Sequence, residues 1–258
     1  GRTPTKRSPR ARLRWPRGRW CLARMTMTMT AARGLTRTFR RSLPALRGTA
    51  ARLAEARRHA GLLRFANFPS PWRLNDFDFT AQPSVDPALM RDLATCRFAD
   101  DATNVLFIGP PGVGKTMRAI ALGHAAVDAG LRTYYTTAAD LAARCRKAAV
   151  EGRWATTMRF FNGPGVLIID ELGYLPMPAE DANALFQVIA QRYLRGSIIL
   201  TTNRGVASWG DIFDDTTIAA AMLDRLLHRS VVLNITGDSY RMRAHQARSR
   251  KLTKGGDA

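Results

Sequence analysis

A phosphate-binding loop is the part of this sequence whose chemistry can be read directly from residue types and spacing. The run Gly109–Thr116 reads Gly-Pro-Pro-Gly-Val-Gly-Lys-Thr and fits the pattern G-x-x-x-x-G-K-[ST]. Its glycines let the backbone turn with the N–H groups pointing inward, where they surround the β-phosphate of a nucleotide. Lys115 adds a positive charge for the β- and γ-phosphates, and Thr116 offers a hydroxyl to Mg²⁺. The motif therefore predicts a nucleoside triphosphate as ligand. The residues expected to bind it here are Gly109, Pro110, Pro111, Gly112, Val113, Gly114, Lys115, Thr116 and Met117.

Two adjacent carboxylates are the second candidate for chemistry. Asp170 and Glu171 follow the apolar run Val166–Ile169, about 55 residues after the loop. Successive side chains point to opposite sides of a strand, so the two acids can divide the work. We expect Asp170 to hold Mg²⁺, directly or through water, beside Thr116. We expect Glu171 to orient or deprotonate the water that attacks the γ-phosphate.

A polar residue at the end of a third apolar run is the next candidate. Asn203 follows the run Ser197–Thr202. It can reach the γ-phosphate and the attacking water if this strand lies between the other two. The alternative is an asparagine that only forms a turn. We predict Asn203 to be catalytic together with Lys115 and Glu171.

Two arginines in the C-terminal part complete the candidate site. Arg225 lies in the amphipathic run Met222–Arg229. An arginine on such a helix can reach a neighbouring subunit's γ-phosphate and stabilise the charge that develops there. The alternative is an internal ion pair with Asp224 or Asp215. Arg241, in the run that opens the last predicted helix, is expected to contact phosphates in its own subunit.

Strands that alternate with helices must position these groups. Besides the apolar run before the loop, strands are predicted over residues 133–137, 165–170, 197–202 and 231–235. Helices are predicted from residue 115 and over residues 87–98, 138–150, 153–161, 180–195 and 217–229. This order is typical of an α/β fold, a parallel sheet with helices on both faces. Ligands of such sheets bind at the carboxyl ends of the strands, where the loop lies.

Charge is distributed very unevenly along the chain, whose formal net charge is +20. Residues 1–64 hold 18 Lys and Arg and one acid, for +17, whereas residues 65–258 hold 22 basic and 19 acidic residues, for +3. We predict a basic, largely disordered or degenerate segment over 1–64, a catalytic domain over 65–245 and a basic tail over 246–258. The first segment is either the product of a start-site or reading-frame error, an arm that binds nucleic-acid phosphates, or an organellar leader.

Several classes of protein are excluded by composition. No apolar run approaches the 18 residues of a membrane-spanning helix, and the basic N-terminal part lacks the apolar stretch of a secretory signal. Cys21, Cys96 and Cys145 lie far apart without a C-x-x-C pair, which argues against a zinc site or a disulfide framework. We expect three reduced thiols and a cytoplasmic protein.

Six runs along the chain carry a resemblance to a known family. They are Asn104–Thr116, Thr136–Leu141, Leu167–Pro176, Leu200–Asn203, Leu223–His228 and Gly237–Arg241. In these runs the sequence, over about residues 65–243, resembles the IstB-like ATPases. That family comprises the ATP-binding helper proteins of bacterial insertion-sequence transposases and belongs to the AAA+ superfamily, beside the DnaC-like helicase loaders. Family members ordinarily carry a helical N-terminal domain of mixed charge, and the corresponding stretch here has almost no acids.

The resemblance implies a fold, cofactors and residue roles. It implies an AAA+ P-loop NTPase fold with little or no C-terminal lid, which would make residues 65–245 an AAA+ ATPase domain, with ATP and Mg²⁺ as cofactors. By position it implies the Walker A loop at Gly109–Thr116, Walker B acids at Asp170 and Glu171, a first sensor at Asn203, an arginine finger at Arg225 and a second sensor at Arg241.

The partners follow from the resemblance as well. It implies a homo-oligomer with ATP between subunits that assembles on double-stranded DNA and engages the transposase of its mobile element. A basic cluster around the helices predicted over residues 138–150 and 153–161 is the candidate DNA-facing surface, with a solvated face as the alternative. The cluster consists of Arg144, Arg146, Lys147, Arg153 and Arg159.

The predicted function is that of an ATP-hydrolysing helper of a DNA transposase. Two alternatives share much of the site: a DnaC-like loader of the replicative helicase, and a nucleic-acid-binding remnant that binds nucleotide without turnover. A small-molecule kinase fits less well, because Glu171 and Asn203 suit water activation better than a substrate pocket.

Overall fold

A five-stranded parallel sheet lies at the centre of the fold. A computed structural model of the chain describes residues 51–80, 82–174, 176–213, 215–240 and 242. The strands are β1 (Asn104–Ile108), β2 (Thr133–Thr137), β3 (Val166–Leu172), β4 (Ser197–Thr202) and β5 (Ser230–Asn234). Each pairing is parallel and the order across the sheet is β2-β3-β4-β1-β5. The predicted parallel sheet is confirmed.

Helices cover both faces of this sheet. They are α1 (51–66), α2 (Pro87–Ala94), α3 (Lys115–Asp128), α4 (Ala138–Val150), α5 (Trp154–Asn162), α6 (Ala179–Arg192), α7 (Trp209–Phe213) and α8 (Thr216–Leu227). Alternating residues of a strand face opposite sides, so one strand serves two cores. Leu106 and Ile108 of β1 pack in the core that includes side chains of α4, α6 and α8. Val105 and Phe107 pack in the second core, against side chains of α2 and α3.

The predicted strands and the helices predicted between residues 87 and 229 are present, with shifts of a few residues at their ends and two local differences. Most of the last predicted helix lies outside the described residues. The helix predicted over 87–98 ends at Ala94, because Cys96 takes the left-handed conformation with φ of 62° and starts a 3-10 turn over Arg97–Ala99. The short helix α7 was not predicted, since the glycines at 205 and 210 suggest a loop. It is held by the buried rings of Trp209 and Phe213, whose centroids lie 5.9 Å apart.

Helix α1 crosses the domain boundary predicted at residue 64. Arg58 Nη2 in α1 donates to the carbonyl oxygen of Gly130 at 3.2 Å, and His59 Nε2 lies 2.8 Å from a carboxylate oxygen of Asp128. Most of the predicted basic segment, and the residues after 242 that would form a lid or tail, lie outside the described residues. The domain boundaries therefore stay predictions.

Two further findings concern thiols and membranes. Cys96 and Cys145 are buried free thiols, and burial raises the pKa of each to about 11. Cys21 lies outside the described residues. Among the described helices, none has both the length and the apolar character needed to cross a bilayer.

Candidate nucleotide-binding site

The phosphate-binding loop connects β1 to α3 at the carboxyl edge of the sheet. Gly112 and Gly114 have φ of 83° and 87°, a region that glycine adopts without strain. Gly109 N donates to the carbonyl oxygen of Thr202 at 3.2 Å, which ties the start of the loop to the end of β4. The loop thus opens onto the edge where helix α3 presents its N-terminus, the end of a helix that attracts anions.

Lys115 lies folded over this loop. Its Nζ donates to the carbonyl oxygens of Gly109 at 2.7 Å and Pro110 at 2.8 Å. The ammonium is therefore held within the turn that would surround a phosphate, while Pro110 and Pro111 are exposed on its outer side. This position suits a charge that stabilises the β- and γ-phosphates.

Asp170 is the most thoroughly hydrogen-bonded group of the site. Its carboxylate is 1% exposed and accepts from Thr116 Oγ1 at 3.0 Å, from the Tyr135 hydroxyl at 2.7 Å and from Thr201 Oγ1. Burial, with the charge and hydrogen bond of Asp170, raises the pKa of Tyr135 above its ordinary value, so the phenol stays a donor. Three hydroxyl donors stabilise this buried carboxylate, which has no ion pair with any described residue.

The same contacts test whether Mg²⁺ fits here. Mg²⁺ prefers hard oxygen ligands, commonly a carboxylate or two together with phosphate oxygens and water. The Thr116 hydroxyl and the Asp170 carboxylate are such oxygens, and they already lie 3.0 Å apart beside the loop. The two predicted metal ligands are thus adjacent in the structure, and their chemistry suits Mg²⁺.

Glu171 turns away from its neighbour because β3 contains a bulge. The pairing with β4 shifts register between Ile169 and Leu172, and Glu171 takes φ of 62°. A β-bulge of this kind redirects a side chain and is frequent beside active sites. The N–H of Glu171 donates to Thr201 Oγ1 at 3.0 Å, while its side chain is exposed at the carboxyl edge. The side chain therefore lies at the exposed carboxyl edge of the sheet rather than in the core.

Asn203 follows β4, and β4 lies between β3 and β1 in the sheet. The condition that the sequence left open is therefore met. Its side-chain Oδ1 is buried and has no hydrogen-bond partner among the described residues. A buried acceptor without a donor is unfavourable by about 1–3 kcal/mol. An orphaned amide oxygen beside the loop is suited to a ligand or a water.

A cavity of about 350 Å³ adjoins the loop. One side is formed by residues 112–117, so that Met117 lines it as well as the loop. Its other lining residues are Trp72, Asp76, Phe77, Asp78, Gln82 and Tyr240. The cavity thus combines the phosphate-binding loop with aromatic side chains, a combination that suits a nucleotide.

Comparison with protein-family models identifies the chain. The model described as IstB-like ATP binding protein matches residues 26–248. This chain belongs to that family. The match begins inside the basic segment predicted over 1–64, so part of that segment is similar to the family.

Curated relatives agree with this assignment. A Geobacillus stearothermophilus protein, provisionally named the ATP-binding protein of insertion sequence IS5376, is 46% identical over 197 residues, 76% of this chain and 78% of that protein. A Pseudomonas aeruginosa protein, provisionally named for ATP binding in insertion sequence IS21, is 47% identical over 181 residues, 70% of this chain and 68% of that protein.

Solved structures show the fold. AMPPCP-bound DnaA from Aquifex aeolicus is 18% identical with a TM-score of 0.55, and the match covers 72% of this chain and 57% of that chain. The crystal structure of DnaI is 16% identical with a TM-score of 0.55, covering 64% of this chain and 92% of that chain. This family member therefore has the α/β fold of AAA+ P-loop proteins, as predicted.

Arg225 lies away from the phosphate loop of its own chain. It borders a small cavity together with Asn104, the first residue of β1, whereas the loop follows the last residue of β1. At about 3.3 Å per residue, the two ends of this strand are about 13 Å apart. Arg225 Nη1 donates to Ala221 O in the same helix at 2.8 Å, and its Cζ lies 5.1 Å from the Phe186 ring centre. Neither predicted carboxylate partner contacts it, and Arg241 lies outside the described residues.

Sequence reasoning missed several residues of this family member's site. The aromatic residues of the segment before α2 were not among the predicted site residues. Phe68 and Phe79 do pack against the core, whereas Trp72 and Phe77 line the cavity. Two of the hydroxyl partners of Asp170, Tyr135 and Thr201, were also missed. The available signal was a polar residue in a strand that is otherwise buried, since such a group must find a partner.

Proposed function

We propose that the chain is an ATP-hydrolysing helper of a DNA transposase that assembles with ATP on DNA. The observation that carries the proposal is the contact of Thr116 with Asp170 at 3.0 Å, beside a Glu171 that the bulge turns outward. Binding of nucleotide alone needs the loop. Hydrolysis also needs a carboxylate that can activate water, and the exposed position of Glu171 supports that role.

The chemistry is an attack of water on the γ-phosphorus. Glu171 accepts a proton from the water as the new P–O bond forms, and the bond between the γ-phosphorus and the β–γ bridging oxygen breaks to give ADP and phosphate. Asn203 orients the water through its unpartnered Oδ1, and Lys115 stabilises the phosphate oxygens. Mg²⁺, held by Thr116 and Asp170, would neutralise charge on the β- and γ-phosphates when bound.

Arg225 supports assembly into an oligomer. Its guanidinium borders the amino edge of the sheet and cannot serve the loop at the carboxyl edge of the same chain. It is half-buried and makes no ion pair among the described residues. Such an arginine is suited to the γ-phosphate of a neighbouring copy, where it would stabilise the charge of the transition state.

Support for DNA and transposase as partners comes from the relatives and from charge. The two relatives above are named for insertion sequences, whereas the likeness to DnaI is one of fold only, which favours transposition over helicase loading. The basic cluster predicted on α4 and α5 contributes less than expected. Arg146 pairs with Asp181, and Lys147 and Arg153 both pair with Glu151. These three cations are partly neutralised, so the +17 of residues 1–64 is the stronger basis for DNA binding.

The test is ATP hydrolysis by the full chain with and without duplex DNA. We expect turnover that DNA stimulates and that falls at least a hundredfold in Glu171→Gln, while ATP binding persists. The stimulation should weaken as salt rises, because DNA binding releases counterions. ATP binding without turnover in the unaltered chain would contradict the proposal and favour a non-hydrolysing remnant.

A mixing experiment tests Arg225. Glu171→Gln retains the arginine and lacks the base, and Arg225→Ala retains the base and lacks the arginine. If the arginine acts across an interface, mixing two inactive variants restores part of the activity, since some interfaces then have both groups. If activity does not return while both variants still form oligomers, Arg225 has another role.

The partner is identified by a pull-down with the tagged chain. Capture of transposase rather than helicase distinguishes the two partners.

A further inference from the structure

Gln82 is a buried polar residue that the proposed chemistry does not use. It is 5% exposed and lines the cavity beside the phosphate loop. Its side-chain Nε2 has no hydrogen-bond partner among the described residues. A buried amide left unpaired in this way is unfavourable. A ligand in the cavity would supply the missing acceptor.

The backbone around Gln82 fixes the amide in place. Gln82 N donates to Phe79 O at 3.2 Å, and Val85 N donates to Gln82 O at 3.3 Å, so the residue belongs to a hydrogen-bonded turn. On its other side lies Gly237, which has φ of 121°; a Cβ there would come within 3.1 Å of Gln82 Oε1. The amide is therefore confined between two segments and is not a mobile surface group.

Aromatic rings give this part of the cavity its character. Trp72, Phe77 and Tyr240 line it together with the loop. The guanidinium of Arg118 lies 3.8 Å from the Phe77 ring centre, and Arg118 Nη1 donates to Val113 O in the loop at 2.7 Å. The Phe77 ring is thus held against the loop. Planar aromatic walls accept a planar heterocycle, and rings of this kind stack on nucleobases.

We propose that Gln82 binds the base of the nucleotide, with its Nε2 donating to an acceptor ring nitrogen of a purine. The proposal rests on the assignment of a nucleoside triphosphate to the loop in the proposed function. In this proposal residues 112–117 bind the phosphates, and the base lies against the aromatic rings. Gln82 then contacts the base of the nucleotide and not its phosphates. Glutamine is well suited to this role, because its amide pairs with the acceptor nitrogen and the amino group of adenine.

The experiment separates base binding from phosphate binding. We would measure the affinity of the full chain for a non-hydrolysable ATP analogue and for inorganic tripolyphosphate. Gln82→Met should weaken binding of the analogue about tenfold, since one net hydrogen bond of about 1.4 kcal/mol is lost. Binding of tripolyphosphate should be unchanged. The control is Gln187→Met, an exposed glutamine on α6, which should alter neither affinity.

Ring-nitrogen analogues identify the contact. Versions of the same ATP analogue with carbon in place of N1, N3 or N7 would be measured against both forms of the protein. One of them should bind the unaltered chain about tenfold more weakly, yet lose nothing further in Gln82→Met. The inference is overturned if no ring nitrogen couples to Gln82, or if tripolyphosphate loses as much affinity as the nucleotide.

These results are independent of hydrolysis. A chain that binds the ATP analogue through Gln82 but has no turnover would contradict the proposed function and leave this inference standing. A chain with DNA-stimulated turnover and an unaffected Gln82→Met variant would do the reverse. Failure of the unaltered chain to bind any nucleotide would overturn both.

Discussion

Replacing Thr201 with valine should slow ATP hydrolysis about tenfold and destabilise the fold. Valine has the branched shape of threonine, so the change mainly deletes the hydroxyl. That hydroxyl accepts from the N–H of Glu171 at 3.0 Å and donates to the carboxylate of Asp170. One substitution therefore acts on both acids of the site, from a position that is itself buried within β4.

Two losses set the magnitude. An N–H left without an acceptor costs about 1–3 kcal/mol, and a carboxylate that loses a donor costs about 1.5–3 kcal/mol. Glu171 has φ of 62°, a conformation that costs about 1–2 kcal/mol for a residue other than glycine. Without the Thr201 oxygen this strain is no longer opposed. If about 1.4 kcal/mol appears as escape of Glu171 from its active position, kcat falls tenfold. A further 2 kcal/mol, roughly, should appear as reduced stability.

The assay measures kcat and KM for ATP together with urea unfolding. We expect kcat to fall about tenfold while KM changes less than about twofold, since the loop and Lys115 are untouched. The matched control is Thr133→Val. Thr133 is a buried threonine at the first position of β2, away from the carboxyl edge, and its hydroxyl donates to Leu131 O at 3.4 Å. The substitution should leave kcat unchanged. A Thr201→Val protein that loses stability yet keeps its kcat would refute the claim that Thr201 positions Glu171.

Three further predictions concern the loop, the core and pH. Gly112→Ala should weaken ATP binding at least tenfold, because φ is 83° and the new Cβ would collide with Ser239. The control Gly205→Ala has open space around it and should not weaken binding. Equal affinities of the two variants would contradict this. Arg192→Met should lower the free energy of unfolding in urea by about 3 kcal/mol or more, since the buried guanidinium donates to four backbone carbonyls; a change below 1 kcal/mol, roughly, would contradict this. Burial lowers the pKa of His124 from 6.5, so the unfolded chain takes up its proton first and the stability from this group, full above pH 6.5, is lost as the pH falls below it. We would measure the free energy of unfolding in urea above and below pH 6.5. The decrease from the higher to the lower pH should be smaller for His124→Phe than for the unaltered chain, and an identical decrease would contradict this.

Some elements were predictable because their signals are local. The run from Asn104 to Thr116 contains both its strand pattern and its turn glycines, so the loop and the start of α3 were predicted at the right residues. The ends of β2, α4 and β4 were predicted exactly for the same reason. The conformation of Cys96 was not predictable, since a left-handed residue other than glycine is imposed by its surroundings.

The bulge in β3 shows where local signals end. The sequence indicates that Asp170 and Glu171 follow an apolar strand, and alternation predicts that they point to opposite sides. The structure reaches that outcome by another route, a register shift against β4 that Thr201 stabilises. The contact joins residues 30 positions apart in the chain, and no pattern within one segment encodes it.

Residue types and their spacing establish which chemical groups the chain contains: a phosphate loop, two acids at a strand end, and strands alternating with helices. These follow from backbone preferences and side-chain periodicity within a few residues. Three features are visible only in the folded chain: β4 lies between β3 and β1, Arg225 lies at the opposite edge from the loop, and Gln82 lines the cavity. Parallel strands need not be neighbours in sequence order, so their arrangement depends on the packing of both helical layers at once.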